Sequence, residues 1–334
     1  MKKEAKLYDK LPDNRVACGL CAHHCVISDS AFGVCGVRKN ENGTLFTLGF
    51  GELIAAHIDP VEKKPLYHFL PGSQTYSIAA AGCNFKCSFC QNWQISQLNY
   101  RHGDIPTEFT SPESVVKSAL ESGCKSISYT YTEPTIFFEY AMETAELAKE
   151  SGLENIFVTN GYMTEAAIKE IKPFLGAANI DLKSFSDDFY RKICKGTLKP
   201  VLDSITAMVK HGIWVEITTL IIPGLNDSPE ELAQIARFIA QTGKEIPWHI
   251  SRFHPDFQMS DTPQTPHKTL ESAVEAGKKA GLKYIYMGNV ADGSDTLCPK
   301  CGITLIKRDC FAVISNKLKG SNCPACGTKI DGIL

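Results

Sequence analysis

The chain has 334 residues, 43% hydrophobic and 22% charged, with a formal net charge of −2. That length accommodates one α/β domain of roughly 200–250 residues plus small appendages. The balanced charge, without a run of like charges, argues against a broad nucleic-acid or membrane-surface footprint. Met1-Lys2-Lys3-Glu4 is followed by no apolar stretch, and no apolar span is long enough to cross a bilayer. A cytoplasmic protein is expected, with neither membrane nor nucleic acid as partner.

The chain carries 14 cysteines. Without an export signal, metal or cluster binding accounts for them better than disulfides. All but Cys124 and Cys194 fall into three local groups; those two are read as ordinary buried thiols. The segment 1–70 is rich in Gly, Cys and Asn and reads as a module held by metal rather than by a core. Within it Cys18, Cys21, Cys25 and Cys35 form a four-thiolate set for an auxiliary iron–sulfur cluster or a structural zinc, with His23 and His24 as alternative ligands.

From Tyr76 onward, strands and helices alternate. Tyr76–Ala80 is a short strand ending at a cysteine loop. Ser111-Pro112-Glu113 supplies a helix cap, a proline at the first helical position and an early acid, so a helix runs to about Glu121. Strands are predicted over Ile127–Tyr131, Asn155–Thr159, Asn179–Leu182, Trp214–Ile222, Trp248–Phe253 and Tyr284–Met287. Helices are predicted over Thr135–Lys149, Thr164–Ile171, Asp187–Ile193, Pro200–Lys210, from Ser228 to about Gln241, and over His267–Lys279. Such alternation implies right-handed βαβ units, a parallel sheet and an active site at its C-terminal edge. Six units make a partial (β/α)6 TIM-like barrel, an α/β fold spanning 71–291. Residues 292–334 then carry Cys298-Pro-Lys-Cys301-Gly and Cys323-Pro-Ala-Cys326-Gly, a zinc-ribbon or rubredoxin-like pair of knuckles. Its expected ion is structural zinc, with Cys310 as a spare thiol or substitute ligand.

The most telling feature is the loop Gly82-Cys83-Asn84-Phe85-Lys86-Cys87-Ser88-Phe89-Cys90. A structural zinc wants four protein ligands, whereas three thiolates on a four-iron cubane leave one iron open. This C-x₃-C-x₂-C pattern resembles the radical S-adenosylmethionine (SAM) superfamily. The runs 90–96 and 223–227 are similar to relatives of the pyruvate formate-lyase activating enzyme. The Cys-rich N-terminal segment and the C-terminal knuckles most resemble the radical SAM member of the AmmeMemoRadiSam system.

The resemblance implies a 4Fe–4S cluster on Cys83, Cys87 and Cys90. Reductive cleavage of SAM there gives a 5′-deoxyadenosyl radical, which takes a hydrogen atom from a protein or metabolite. It also implies an electron donor such as flavodoxin or ferredoxin, and either Memo-like and Ammecr-like partners or a glycyl-radical enzyme. By the same resemblance Phe89 packs on the adenine, and Thr132-Glu133-Pro134 holds the SAM amino group where the family has Gly-Gly-Glu-Pro. Asn160 lies in the third-strand motif, which has Val158 in place of the usual acid. Asp181 and Lys183 face the SAM carboxylate, and His254 lies near ribose and carboxylate. The alternatives are local: Phe89 as loop packing, Glu133 as a helix cap, Asp181–Lys183 as an ion pair. A non-enzymatic metal scaffold is the competing class.

Overall fold

The computed structural model describes residues 1–334. Six short strands come first: β1 (Lys3–Glu4), β2 (Tyr8–Lys10), β3 (Val16–Cys18), β4 (Val26–Ile27), β5 (Arg38–Glu41) and β6 (Thr44–Thr47). They form two antiparallel three-stranded sheets, ordered β1-β6-β5 and β2-β3-β4. Metal is not all that can hold this segment. Ala5, Val16, Leu20, Ile27, Val37, Leu45 and Phe50 are buried in the same apolar cluster as the rest of the protein. A buried Arg38–Glu139 ion pair ties it to the following domain. Expecting a coreless module overlooked apolar residues that are scattered singly in sequence and meet only through sheet pairing.

The central sheet has eight strands: β7 (Leu53–Pro60), β8 (Gln74–Ala80), β9 (Ser126–Tyr129), β10 (Glu154–Thr159), β11 (Ala177–Asp181), β12 (Trp214–Ile221), β13 (Trp248–Arg252) and β14 (Ile285–Gly288). They lie side by side in chain order, β8 to β14 parallel and β7 antiparallel at one edge. Strand β7, on the N-terminal side of the expected boundary at 70, is thus hydrogen-bonded to the first strand of the parallel set.

Helices occupy the crossovers. After the short α1 (Trp93–Ser96) come α2 (Pro112–Glu121), α3 (Phe138–Glu150), α4 (Glu165–Ile171), α5 (Asp187–Phe189), α6 (Leu198–Lys210), α7 (Pro229–Thr242) and α8 (His267–Ala280). Local chemistry explains their starts. Ser111 Oγ accepts from Ser114 N, Thr164 Oγ1 from Ala167 N and Ser228 Oγ from Glu231 N, and Pro112 and Pro229 follow two of these caps. Val115, Val116 and Ala119 of α2 and Leu232, Ile235, Ala236 and Ile239 of α7 form buried stripes against strands that are themselves almost wholly buried. The helix expected over 187–193 is instead α5 followed by a π-turn, Tyr190–Cys194. No helix is long and apolar enough to cross a membrane.

At the C-terminal end, β15 (Thr296–Leu297), β16 (Thr304–Asp309) and β17 (Ala312–Asn316) form a third antiparallel sheet. A buried polar seam joins it to the body. Arg308 donates to Tyr67 O at 2.9 Å and to Thr296 Oγ1 at 2.8 Å, and pairs with Glu62 at 3.4 Å. Tyr286 OH lies 2.6 Å from His68 Nε2 and 2.9 Å from Thr296 Oγ1.

Candidate active site

The C-terminal ends of the parallel strands surround a cavity of about 500 Å³, the size of a cofactor site. The sulfurs of Cys83, Cys87 and Cys90 line it, together with Phe89, Thr132, Glu133, Asn160, Asp181 and Lys183. Nine residues spread over a hundred positions converge because each follows, or ends, a successive strand from β8 to β11.

The cysteine loop leaves β8 through Gly82, whose φ of +100° suits glycine alone; a Cβ there would meet Val37 Cγ1 at 2.9 Å. Main-chain bonds then pin the loop: Lys86 N donates to Cys194 O at 2.9 Å and Ser88 N to Ile193 O at 3.2 Å, both in the π-turn. Phe85 N points at Cys83 Sγ (3.3 Å), and Ser96 Oγ lies 3.1 Å from Cys90 Sγ. Burial pushes the Cys83 and Cys90 thiols up, while Cys87 is raised first by a hydrogen bond with Cys194 and then by burial. All three hold their protons until a metal displaces them. Soft sulfur donors suit iron–sulfur or zinc rather than magnesium or calcium. Cys194, expected to be an ordinary buried thiol, is fully buried and hydrogen-bonds the Cys87 sulfur.

Glu133 has both roles open to it. Its Oε1 accepts from Thr135 N, Thr135 Oγ1 and Thr159 Oγ1, capping the turn Pro134–Phe137. Its Oε2 accepts only Asn160 N, at 2.8 Å, which leaves acceptor capacity on the cavity side. Burial raises its pKa, and these donors oppose the rise. Tyr131 stands where the family motif has a glycine, and its φ of +61° is the conformation glycine adopts freely. Its hydroxyl bonds Asp59, and the Lys64 ammonium sits 4.3 Å from its ring centroid.

Asn160 Nδ2 donates to Asn84 Oδ1 at 2.7 Å, joining β10 to the cysteine loop. Lys183 Nζ pairs with Asp181 Oδ2 at 2.7 Å and lies 5.6 Å from the Phe89 ring centroid. Burial works against the Lys183 charge, but the adjacent Asp181 carboxylate outweighs it and holds the pKa well above the ordinary lysine value. His254 does not join this cavity. Strand β13 ends at Arg252, one residue before the predicted end, and His254 turns onto Gln264.

Lys63, Lys64, Tyr131, Thr218, Ser251 and Asn289 also line the cavity and were missed in the sequence. Lys64 is buried, its pKa pulled down to about 8 by burial against the opposing pull of Asp59. Only the Lys-Lys-Pro run hinted at it, and nothing local says that 63–64 folds back over the strand ends.

The other cysteine groups are also gathered. Cys298, Cys301, Cys323 and Cys326 place their four sulfurs within 4.8 Å of one another. Two of the separations are 3.6 and 3.7 Å, close to the edge of about 3.8 Å for a tetrahedron with metal–sulfur bonds of about 2.3 Å. Cys18, Cys21, Cys25 and Cys35 line an enclosed cavity of about 20 Å³ with His23 and Arg38. His23 Nε2 is engaged by Asn84 O at 2.8 Å, and His24 does not line this cavity. Neither this group nor the loop triad is as compact as the C-terminal four.

A sequence profile for the Radical SAM superfamily matches residues 77–239, the span holding the triad and the strand ends β8 to β12. An uncharacterized protein of Methanocaldococcus jannaschii is 44% identical over 99% of this chain and 100% of its own length. The chain belongs to the radical SAM superfamily. A pyruvate formate-lyase-activating enzyme of Clostridium pasteurianum is 25% identical over 51% of this chain and 70% of its own. Among solved structures, a radical SAM methyltransferase from Sphaerobacter thermophilus superposes with a TM-score of 0.50 at 17% identity, covering 66% of this chain and 68% of that one. That likeness concerns the fold.

Proposed function

We propose that this radical SAM protein binds a 4Fe–4S cluster on Cys83, Cys87 and Cys90 and cleaves SAM reductively, so that hydrogen is abstracted from a protein or metabolite substrate. The observation that carries this reading is the convergence of three thiols, the buried Glu133 carboxylate and the largely covered Lys183 ammonium on one strand-end cavity. The donor set fits the group: three soft ligands in a loop fixed by main-chain bonds, with no fourth protein ligand in a compact set. The bound cluster supplies the electron that breaks the SAM carbon–sulfur bond, yielding methionine and a 5′-deoxyadenosyl radical.

The chain's own groups do the rest. Lys183, held by Asp181, offers its ammonium to the SAM carboxylate. Glu133 Oε2 and Thr132 receive the amino group, and Asn160 borders the same space. Phe89 offers a face to the adenine. The buried strand ends exclude water from the reacting atoms. His254, outside the cavity, has no contact role in this reading. An electron donor such as flavodoxin or ferredoxin is required.

The open edges at β7 and β14 support a partial barrel, and the tetrahedral sulfur spacing supports a zinc ribbon at the C terminus. The N-terminal four are assigned a second metal centre, zinc or iron–sulfur. The added cysteine modules favour the AmmeMemoRadiSam type, acting beside Memo-like and Ammecr-like partners. Likeness to an activating enzyme of Clostridium pasteurianum favours a second reading, activation of a glycyl-radical enzyme. Anaerobically reconstituted protein with dithionite and SAM is expected to form 5′-deoxyadenosine, measured by liquid chromatography; no product from iron-loaded protein overturns the reading.

A further inference from the structure

A second chamber of about 690 Å³ opens beside the first. Lys63, Gln91, Thr218, Ser251 and Asn289 line both, so the two are continuous. Its floor is Thr218 of β12, His249, Ser251 and Arg252 of β13 and Met287 and Gly288 of β14, and its outer wall is the tip of the β16–β17 hairpin, Cys310 and Phe311. Cys310, at φ +51°, makes the tight turn, and Phe311 is 42% exposed. An apolar side chain that open, at the mouth of a cavity continuous with the proposed SAM site, is available to cover a guest.

The polar groups on the floor are arranged for a negative one. Arg252 is held by a single bond, Nε to Thr265 O at 2.8 Å, and its two terminal nitrogens have no protein partner. Half-buried in the lining, it has no carboxylate within ion-pair distance. Lys63, at the rim, is committed to Asp59 at 2.7 Å. The one carboxylate on the wall, Glu62, is buried and offset by Arg308. His249 is buried and held through Nε2 by Glu216 at 2.7 Å, so it belongs to the chamber's wall rather than to its charge. A planar guanidinium with its two terminal nitrogens free matches an oxyanion, which can accept two parallel N–H bonds from arginine.

We propose that the second chamber is the substrate site, that it recognises a carboxylate or phosphate group through Arg252, and that Phe311 of the C-terminal hairpin packs on the apolar remainder. This rests on the reading of the first cavity as the SAM site. The C-terminal module thereby gains a role in binding, because the Arg308 and His68 seam fixes the hairpin tip over the guest.

The test is calorimetric titration of the full-length, anaerobically reconstituted protein with inorganic phosphate and, separately, with succinate. At least one should bind, and the tighter of the two identifies the oxyanion. Arg252→Gln should weaken that binding at least tenfold. Arg252→Lys, which keeps charge and bulk but not the fork, should weaken it less. In a Phe311→Trp variant, ligand should shift the added indole emission, placing it in this chamber. Thermal melts identify any variant that fails to fold, and the conservative lysine variant then carries the comparison. If neither anion binds, or if both arginine variants bind as the parent does, the proposal is overturned. Formation of 5′-deoxyadenosine by the same preparation separates the two ideas, because anion binding without SAM cleavage contradicts only the reading of the first cavity.

Discussion

Two cysteine sites in this molecule have similar ligand chemistry and opposite surroundings. The C-terminal four come from two knuckles, converge within 4.8 Å and sit in a small sheet remote in sequence from the parallel strands. The loop triad opens onto a 500 Å³ cavity at the strand ends. Four sulfurs at tetrahedral spacing close a coordination sphere and leave nothing to react. Three sulfurs on a cavity wall leave a position open, and the fold places carboxylate, amide and ammonium groups around it. Ligand number and location in the fold, more than ligand type, separate a site suited to holding structure from one suited to chemistry.

The sharpest way to break that contrast is one substitution at each site. Cys87→Ala should abolish 5′-deoxyadenosine formation and iron loading at the loop. Cys301→Ala should instead lower the zinc content and the melting temperature if the C-terminal four hold the proposed zinc, since a missing ligand in a closed site is a folding loss. Metal analysis and product quantification check both; equal loss of product from the two variants would erase the distinction.

The seam offers a smaller effect. Burial pulls the His68 pKa from 6.5 down to about 4, so the folded protein keeps this imidazole neutral. Between those values the unfolded chain binds more protons, so stability falls as the pH drops from 6.5 to 4, by up to about 3 kcal/mol. Hydrogen exchange should show it first at Ile333 N and Leu70 N, which bond across this junction at 2.8 and 2.7 Å, with the cysteine loop unaffected over the same range. Uniform protection down to pH 4 counts against His68 as the group responsible.

Lys183→Ala is expected to be milder in stability than in binding. Asp181 is about a third exposed, so water screens the pair and its loss costs roughly 1–2 kcal/mol. Equilibrium binding should show SAM affinity falling about 10–100-fold, as for a lost charge-assisted bond. Undiminished affinity would return the pair to a purely structural role.

Much of this was legible in the chain itself. The helix starts at Ser111, Thr164 and Ser228 were readable because caps and prolines act locally. The strands were readable because their burial on both faces leaves apolar β-branched runs. The loop triad announced itself by spacing. What stayed hidden depends on distant parts meeting: β7 adding an antiparallel edge, Lys64 folding over the strand ends, Asn289 arriving after β14. The π-turn at Tyr190–Cys194 was hidden because its sequence is ordinary for a helix, and the main-chain bonds it offers the cysteine loop come from the loop's approach. The turn of His254 away from the cavity follows from Thr265, whose hydroxyl takes Phe253 N at 2.9 Å and draws the chain off the rim.

The measurement that bears most directly on the central claim is electron paramagnetic resonance of the dithionite-reduced protein, recorded with and without SAM. The account predicts a reduced 4Fe–4S signal whose shape changes when SAM is added, and which Cys83→Ala eliminates. A signal indifferent to SAM, or zinc in place of iron at the loop, would contradict it.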